Sequence, residues 1–513
     1  MKFKDYTRRF TRPVAVGLLS ALLTSGVARA QGPPRGFWPV ADSTAAHSRW
    51  QTAETDITTN SVATNFKFLW KIKLGGAPAA SSFSEPLLFP GLITGSGFKD
   101  LAFVADAHTL YAVDSELGQM VWQKDFPSGA NKACGNLQVL AEPPQVINFG
   151  ARKPGAPRPP PQAPVAPSAR RVGGSAGGGF FGLKGVYVLT SDGYLHEQIM
   201  ATGLDYAPAV KFLPEAKGSS FALNINDKVA YTLAESGCHN EPAAIWSIDL
   251  NTPAYTVNSY QSQKLTLAGL TGPAIGTDGT VYIVTGGGEH PNSVVALTAK
   301  DLKVKDWYTP SGAGKTLDAG PVVFTYKGKE LVAAPGKEGG IVLLDSKSLG
   351  GADHQTALAD SSVMSKAAKR GDWEGLATWQ DKAGVRWIFA SIDGPVAKFP
   401  GNNGPAPHGS IIAFKVEELD GHTALTPVWI SRDLVEPAPP AIANGVVFAL
   451  EGGNASTHAT LYALDAATGK QLYSSGDAIE SYTHLAGISV GDGHVFFTTH
   501  DNTLYSFGIP LEH

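Results

Sequence analysis

The chain has 513 residues, 58 of them glycine and 35 proline, and only 17% are charged, with a formal net charge of −4. That balance excludes a mainly helical protein and favours many short strands joined by tight turns. The mild acidity also argues against the basic surface by which nucleic acid or an anionic membrane is held. A single core rarely grows to this length, but a repeat architecture does, because each unit packs only on its neighbours.

In chain order, residues 1–30 read as a signal peptide. Lys2, Lys4, Arg8, Arg9 and Arg12 form a basic region, Val14 to Val27 is apolar, and Ala28-Arg29-Ala30 offers a cleavage site before Gln31. The apolar stretch is short for a bilayer span, so the expectation is a mature chain without a transmembrane span in the periplasm or outside the cell. Thr7-Arg8-Arg9-Phe10 leaves the general and the twin-arginine export routes both open. Residues 31–62 form an amino-terminal extension with no repeat pattern. Phe66 to Ile72 is an orphan strand.

From there a pattern recurs. A strand of the type Leu-Tyr-Ala-Val-Asp leads through a turn containing Gly to a strand with an aromatic residue. Leu110 to Asp114 leads through Gly118 to Trp122, and Leu461 to Asp465 through Thr468-Gly469-Lys470 to Tyr473. Related copies are Ile245 to Asp249, Val294 to Leu297 with Trp307, Ile341 to Asp345, and Ile411 to Phe414 with Trp429. The Asp can bond turn amides and the Gly takes a positive φ. Before several copies lies a strand entered by a hairpin dipeptide: Asp278-Gly279, Asn444-Gly445 and Asp492-Gly493. A period in the forties with four strands per unit predicts an all-β propeller over residues 63–513. Eight blades are expected, with seven as the alternative, because the second unit, placed at 175–214, is short. The last unit lacks an outer strand, and Phe66 to Ile72 would supply it and close the ring. The Pro- and Gly-rich stretch 152–179 cannot bury a core and reads as a disordered insertion. Cys134 and Cys238 are compatible with a disulfide in an exported chain and equally with two buried thiols.

These repeats, which span nearly all of residues 63–508, resemble those of the pyrroloquinoline quinone (PQQ) propellers, the family of the quinoprotein alcohol dehydrogenases. Non-catalytic propellers, among them the barrel-assembly lipoprotein of the outer membrane, share the same repeat. The resemblance to the dehydrogenases implies PQQ held over the ring axis on a divalent metal, usually Ca²⁺. An Asp serves as general base, and a Lys or Arg polarises the quinone oxygens. Ala334-Pro335-Gly336-Lys337 looks like the segment carrying that cation, which makes Lys337 the quinone-contacting position, with Asp318 as an acidic position upstream. An ordinary turn lysine beside Glu338 fits the same residues. The chain departs from the enzymes at Thr285-Gly286-Gly287-Gly288, where a metal-ligating Asn is expected. It departs again at Glu289-His290-Pro291-Asn292, where the catalytic Asp should precede Ser293-Val294-Val295-Ala296. Glu289 as a carboxylate and His290 as a base are the substitutes at hand. Arg370-Gly371-Asp372-Trp373-Glu374 offers Asp372 and Glu374 as further metal-ligand candidates. Two readings follow: an envelope scaffold that binds a protein partner or a small ligand at a propeller face, and a PQQ-dependent oxidoreductase of alcohols or sugars. The missing Asn and Asp favour the scaffold.

Overall fold

The repeats fold into eight four-stranded antiparallel blades. The computed structural model describes residues 36–75, 83–126, 138–141, 185–213, 220–234, 243–268, 272–312, 315–317, 319–337, 340–361, 375–396, 403–483 and 487–510. Blade 1 is the meander Leu87–Thr94, Gly97–Ala105, Thr109–Asp114 and Gln119–Asp125. The first strands of the next six blades contain Gln138–Ala141, Ser220–Asn226, Ala274–Ile275, Val322–Tyr326, Leu376–Gln380 and Ala441–Ala443. First strands of neighbouring blades lie against one another and line the axis. Blade 8 is Ser489–Gly491, His494–Thr499 and Thr503–Gly508, and its outer strand is Lys67–Lys73. The register runs from Lys67 opposite Gly508 to Lys73 opposite Thr503. The orphan strand of the sequence therefore closes the ring and removes two open edges.

Blade 2 begins earlier than the repeat spacing predicts. Its first strand is Gln138–Ala141, paired with Gly185–Leu189. In chain order the Pro- and Gly-rich stretch thus falls inside the blade, which hid this strand from a count based on spacing. That stretch itself lies outside the described residues.

The apolar cores sit between blades. One joins Phe103 and Ala112 of blade 1 to Val186 and Val188 of blade 2. Another joins Phe389 and Trp429 of blade 6 to Val447 and Leu464 of blade 7. The repeat residues explain how blades lock. Asp465 Oδ1 accepts from the Ala467 and Thr468 amides at 3.1 and 2.9 Å, which shapes the turn. Trp429 of the preceding blade then lies on Gly469, and its Nε1 donates to Ala466 O at 3.1 Å. A Cβ on Gly469, whose φ is +71°, would stand 2.5 Å from the indole. The same arrangement recurs at Trp70 on Gly118 and Trp122 on Gly203. Gly469→Ala is therefore expected to destabilise the protein by about 2–4 kcal/mol, combining overpacking with left-handed strain. Urea unfolding measures it, and a change under about 0.5 kcal/mol, the scale of an ordinary surface substitution, would refute the locking role. Among the described residues no helix is long and apolar enough to cross a membrane.

Candidate functional site at the ring axis

The inside of the ring is lined by the chain's own amino-terminal extension. Trp38 exchanges backbone hydrogen bonds with Leu88 of blade 1 at 3.0 and 2.9 Å. Val40 packs on Leu140 and Leu189 of blade 2. Ala45 O accepts from Asn224 Nδ2 of blade 3 at 2.9 Å and from Ile275 N of blade 4 at 2.7 Å. Ala46 O accepts from Val323 N of blade 5 at 2.9 Å, and Ser48 O from Thr378 N of blade 6 at 3.0 Å. Trp50–Gln51 adds a short parallel strand to Ala441–Ala443 of blade 7. Gln51 Nε2 donates to Val490 O of blade 8 at 3.3 Å and back to Phe37 O at 2.9 Å. Residues 37–51 thus make one circuit inside the ring, touch every blade in order and join end to start.

The circuit is drawn together by charge. Arg49 pairs with Asp42, and its Nη1 lies 3.9 Å from Glu85 Oε2. Glu85, on the segment entering blade 1, accepts from Trp38 Nε1 at 2.6 Å and from the Asp42 amide at 2.9 Å. His47 Nδ1 lies 3.7 Å from Asp42 Oδ2. Asp42, His47 and Arg49 are no more than 3% exposed, and Glu85 is 9% exposed. Burial pushes the Glu85 carboxyl up to about 7 despite Arg49 beside it, and burial lowers the His47 pKa. Asp42, Ser43, His47 and Arg49 all have positive φ. Non-glycine residues hold that conformation only when their surroundings over-determine it. Beyond the circuit, Glu54 Oε1 caps the amides of Thr55, Asp56 and Ile57, and its Oε2 accepts from Gly493 N. The chain then leaves through the helix Thr59–Asn65 into the closing strand.

Lys337 is exposed in the loop after Lys329–Pro335 of blade 5, and its amide donates to Thr316 O at 2.7 Å. Glu289 is exposed in the corresponding loop of blade 4, with its amide donating to Ser262 Oγ at 3.2 Å. The two loops open on one face of the ring and are tied through Asn292, which bonds Lys315 O and the Leu317 amide. His290 stacks on Trp307 at 4.2 Å, and His354 covers the other face of that indole at 3.7 Å. Asp318, Asp372, Glu374, Cys134 and Cys238 lie outside the described residues. A groove of about 410 Å³ between blades 6 and 7 is lined by Asn403, Arg432, Asp433, Lys470 and Gln471. Asn403 Nδ2 is spent on Ile430 O and Thr468 O there, and Arg432 bonds Gln471. Sequence reasoning missed the axial circuit altogether.

Ring and circuit together define an eight-bladed propeller lined on the inside by its own amino-terminal segment. In fold the chain is similar to solved quinoprotein dehydrogenases and to BamB. Quinohemoprotein alcohol dehydrogenase from Comamonas testosteroni superposes with a TM-score of 0.56 at 13% identity, over 93% of this chain and 81% of that one. A europium-containing methanol dehydrogenase gives 0.53 at 12% identity, over 92% and 98%. BamB from Moraxella catarrhalis gives 0.50 at 13% identity, over 87% and 99%. No protein-family description matches the chain, and no curated protein does. At these identities the likeness establishes the fold.

Proposed function

We propose that this protein is a non-catalytic binding or assembly scaffold of the cell envelope, delivered there by the segment 1–30. The observation that carries this reading is the axial circuit. A quinone over the axis needs open space and a metal bound by an amide and carboxylates. Here residues 37–51 run around the inside of the ring, and the buried carboxylates Asp42 and Glu85 are taken by Arg49, Trp38 and a backbone amide. Glycines at 286–288 replace the ligating Asn, and Gly286 and Gly287 would each press a Cβ onto Thr266 or Lys264. Among the described residues, those at the inside of the ring do not offer the set that PQQ with Ca²⁺ needs. Lys337 is the described candidate that the oxidoreductase reading retains, and as an exposed turn residue it requires no quinone.

Adding PQQ and Ca²⁺ at saturation to the purified protein is expected to leave its melting temperature unchanged, with no dye reduction on a panel of alcohols and sugars. A ligand held by the native state alone raises stability by about 2.7 kcal/mol at a hundredfold excess over its Kd. A shift of that order, abolished by Lys337→Ala, would restore the oxidoreductase.

A further inference from the structure

We infer that the overhanging hairpin of blade 1 is a docking surface for a polypeptide segment that carries a basic side chain next to a large apolar one. This names the partner class of the scaffold and rests on that reading.

The hairpin Leu87–Thr94 and Gly97–Ala105 is far longer than its neighbour in blade 8, where Ser489–Gly491 turns at once into His494–Thr499. Its end therefore stands beyond the blade that should cover it. There Ile93 and Phe98 are directly opposite each other, 46% and 73% exposed. Leu117, 56% exposed, follows in the turn that receives Trp70. The solvation of these side chains is a standing cost that a partner removes.

Charge decides which partner. Asp100 lies two residues along the strand from Phe98, and strand alternation puts both on one face. Its carboxylate, that of Glu116 and that of Asp492 all lie within 4.8 Å of one another, each half-buried. Burial raises the Glu116 carboxyl to about 7, and the charges that add to this are Asp492, Asp100 and Asp114. The nearest lysine of the hairpin, Lys99, is engaged by Asp114 at 2.5 Å. Among the described residues no Lys or Arg pairs with these three carboxylates, and beside the exposed apolar pair they complement a Lys or Arg flanked by an aliphatic or aromatic side chain. An acidic segment or an anionic bilayer is repelled by the same group.

The test is panning a displayed random-peptide library on the full-length protein, followed by affinity measurements of the synthetic winners. The expected result is enrichment of peptides pairing Lys or Arg with a large apolar residue. Their affinity should fall about tenfold or more in Phe98→Ser and, independently, in Asp100→Asn/Glu116→Gln, as for central hot-spot residues. Phe98 is exposed, so an unchanged melting temperature in Phe98→Ser shows that the fold survives. Binders without a basic residue, or binders indifferent to both variants, overturn the inference. So does a dimer that Phe98→Ser dissolves, which would make the occupant a second copy. A Ca²⁺-dependent melting shift lost in Glu116→Gln would make the carboxylates a metal site and overturn it too. None of these outcomes touches the quinone test, so the two readings fail separately.

Discussion

Replacing Arg49 with Met is expected to lower the free energy of unfolding by about 3–5 kcal/mol, the usual consequence of removing one partner from a buried charge pair. The guanidinium is the one cation among the described residues that reaches both Asp42 and Glu85. With it gone, two carboxylates remain in an interior that holds each below a tenth of its free exposure. Glu85 can answer by taking a proton, since its pKa already lies near neutrality. Adding Asp42→Asn to Arg49→Met should therefore recover part of the loss, and a double-mutant cycle by chemical denaturation measures the coupling. A change below about 1 kcal/mol for Arg49→Met, the ordinary worth of an exposed pair, would mean that the axis is wetter than described.

Stability is also expected to depend on pH through Glu85. Its carboxyl is raised from 4.5 to about 7, so the folded protein binds the extra proton between those values. Stability from this group therefore falls as pH rises through that window, by at most about 3 kcal/mol, and the full penalty stands above pH 7. His47 and His494 act in the opposite sense. Burial lowers both, His494 to about 4, so their contribution is full above 6.5 and is lost as pH falls. Glu116, raised to about 7, has the same sign as Glu85. The difference between wild type and Glu85→Gln isolates the axial carboxyl. The glutamine oxygen still accepts from Trp38 and Asp42, and the variant should gain on wild type as pH rises from 5 to 8. Parallel curves over that range would rule out a buried, protonating Glu85.

The ring was legible because its signals are local and repeated. Asp465, Gly469 and Trp429 each have a task within a turn or one blade away, and the same task recurs at Asp114, Gly118 and Trp70. The closing strand was legible because an unpaired strand at one end answers a missing one at the other. The axial circuit carries no period at all. Successive residues between Trp38 and Gln51 meet different blades, so no face repeats, and four positive-φ residues break any strand or helix pattern. Its one sequence trace is three ionisable groups, Asp42, His47 and Arg49, among small and aromatic residues. Glu85, their partner, is separated from them by the closing strand. Of the three carboxylates, Asp100 and Glu116 meet within blade 1, and ring closure brings Asp492 to them from the other end of the chain.

The circuit also fixes an order of events during folding. Residues 37–51 are made early, yet their last partner, Val490, lies 439 residues downstream. Glu54 waits as long for Gly493, and the closing strand for Thr503–Gly508. Every blade must exist before the segment has all its hydrogen-bonding partners, and closing so long a loop is slow. The amino-terminal segment thus completes its contacts only when blade 8 is in place, and a chain truncated before blade 8 leaves Gln51 and Glu54 without their partners there.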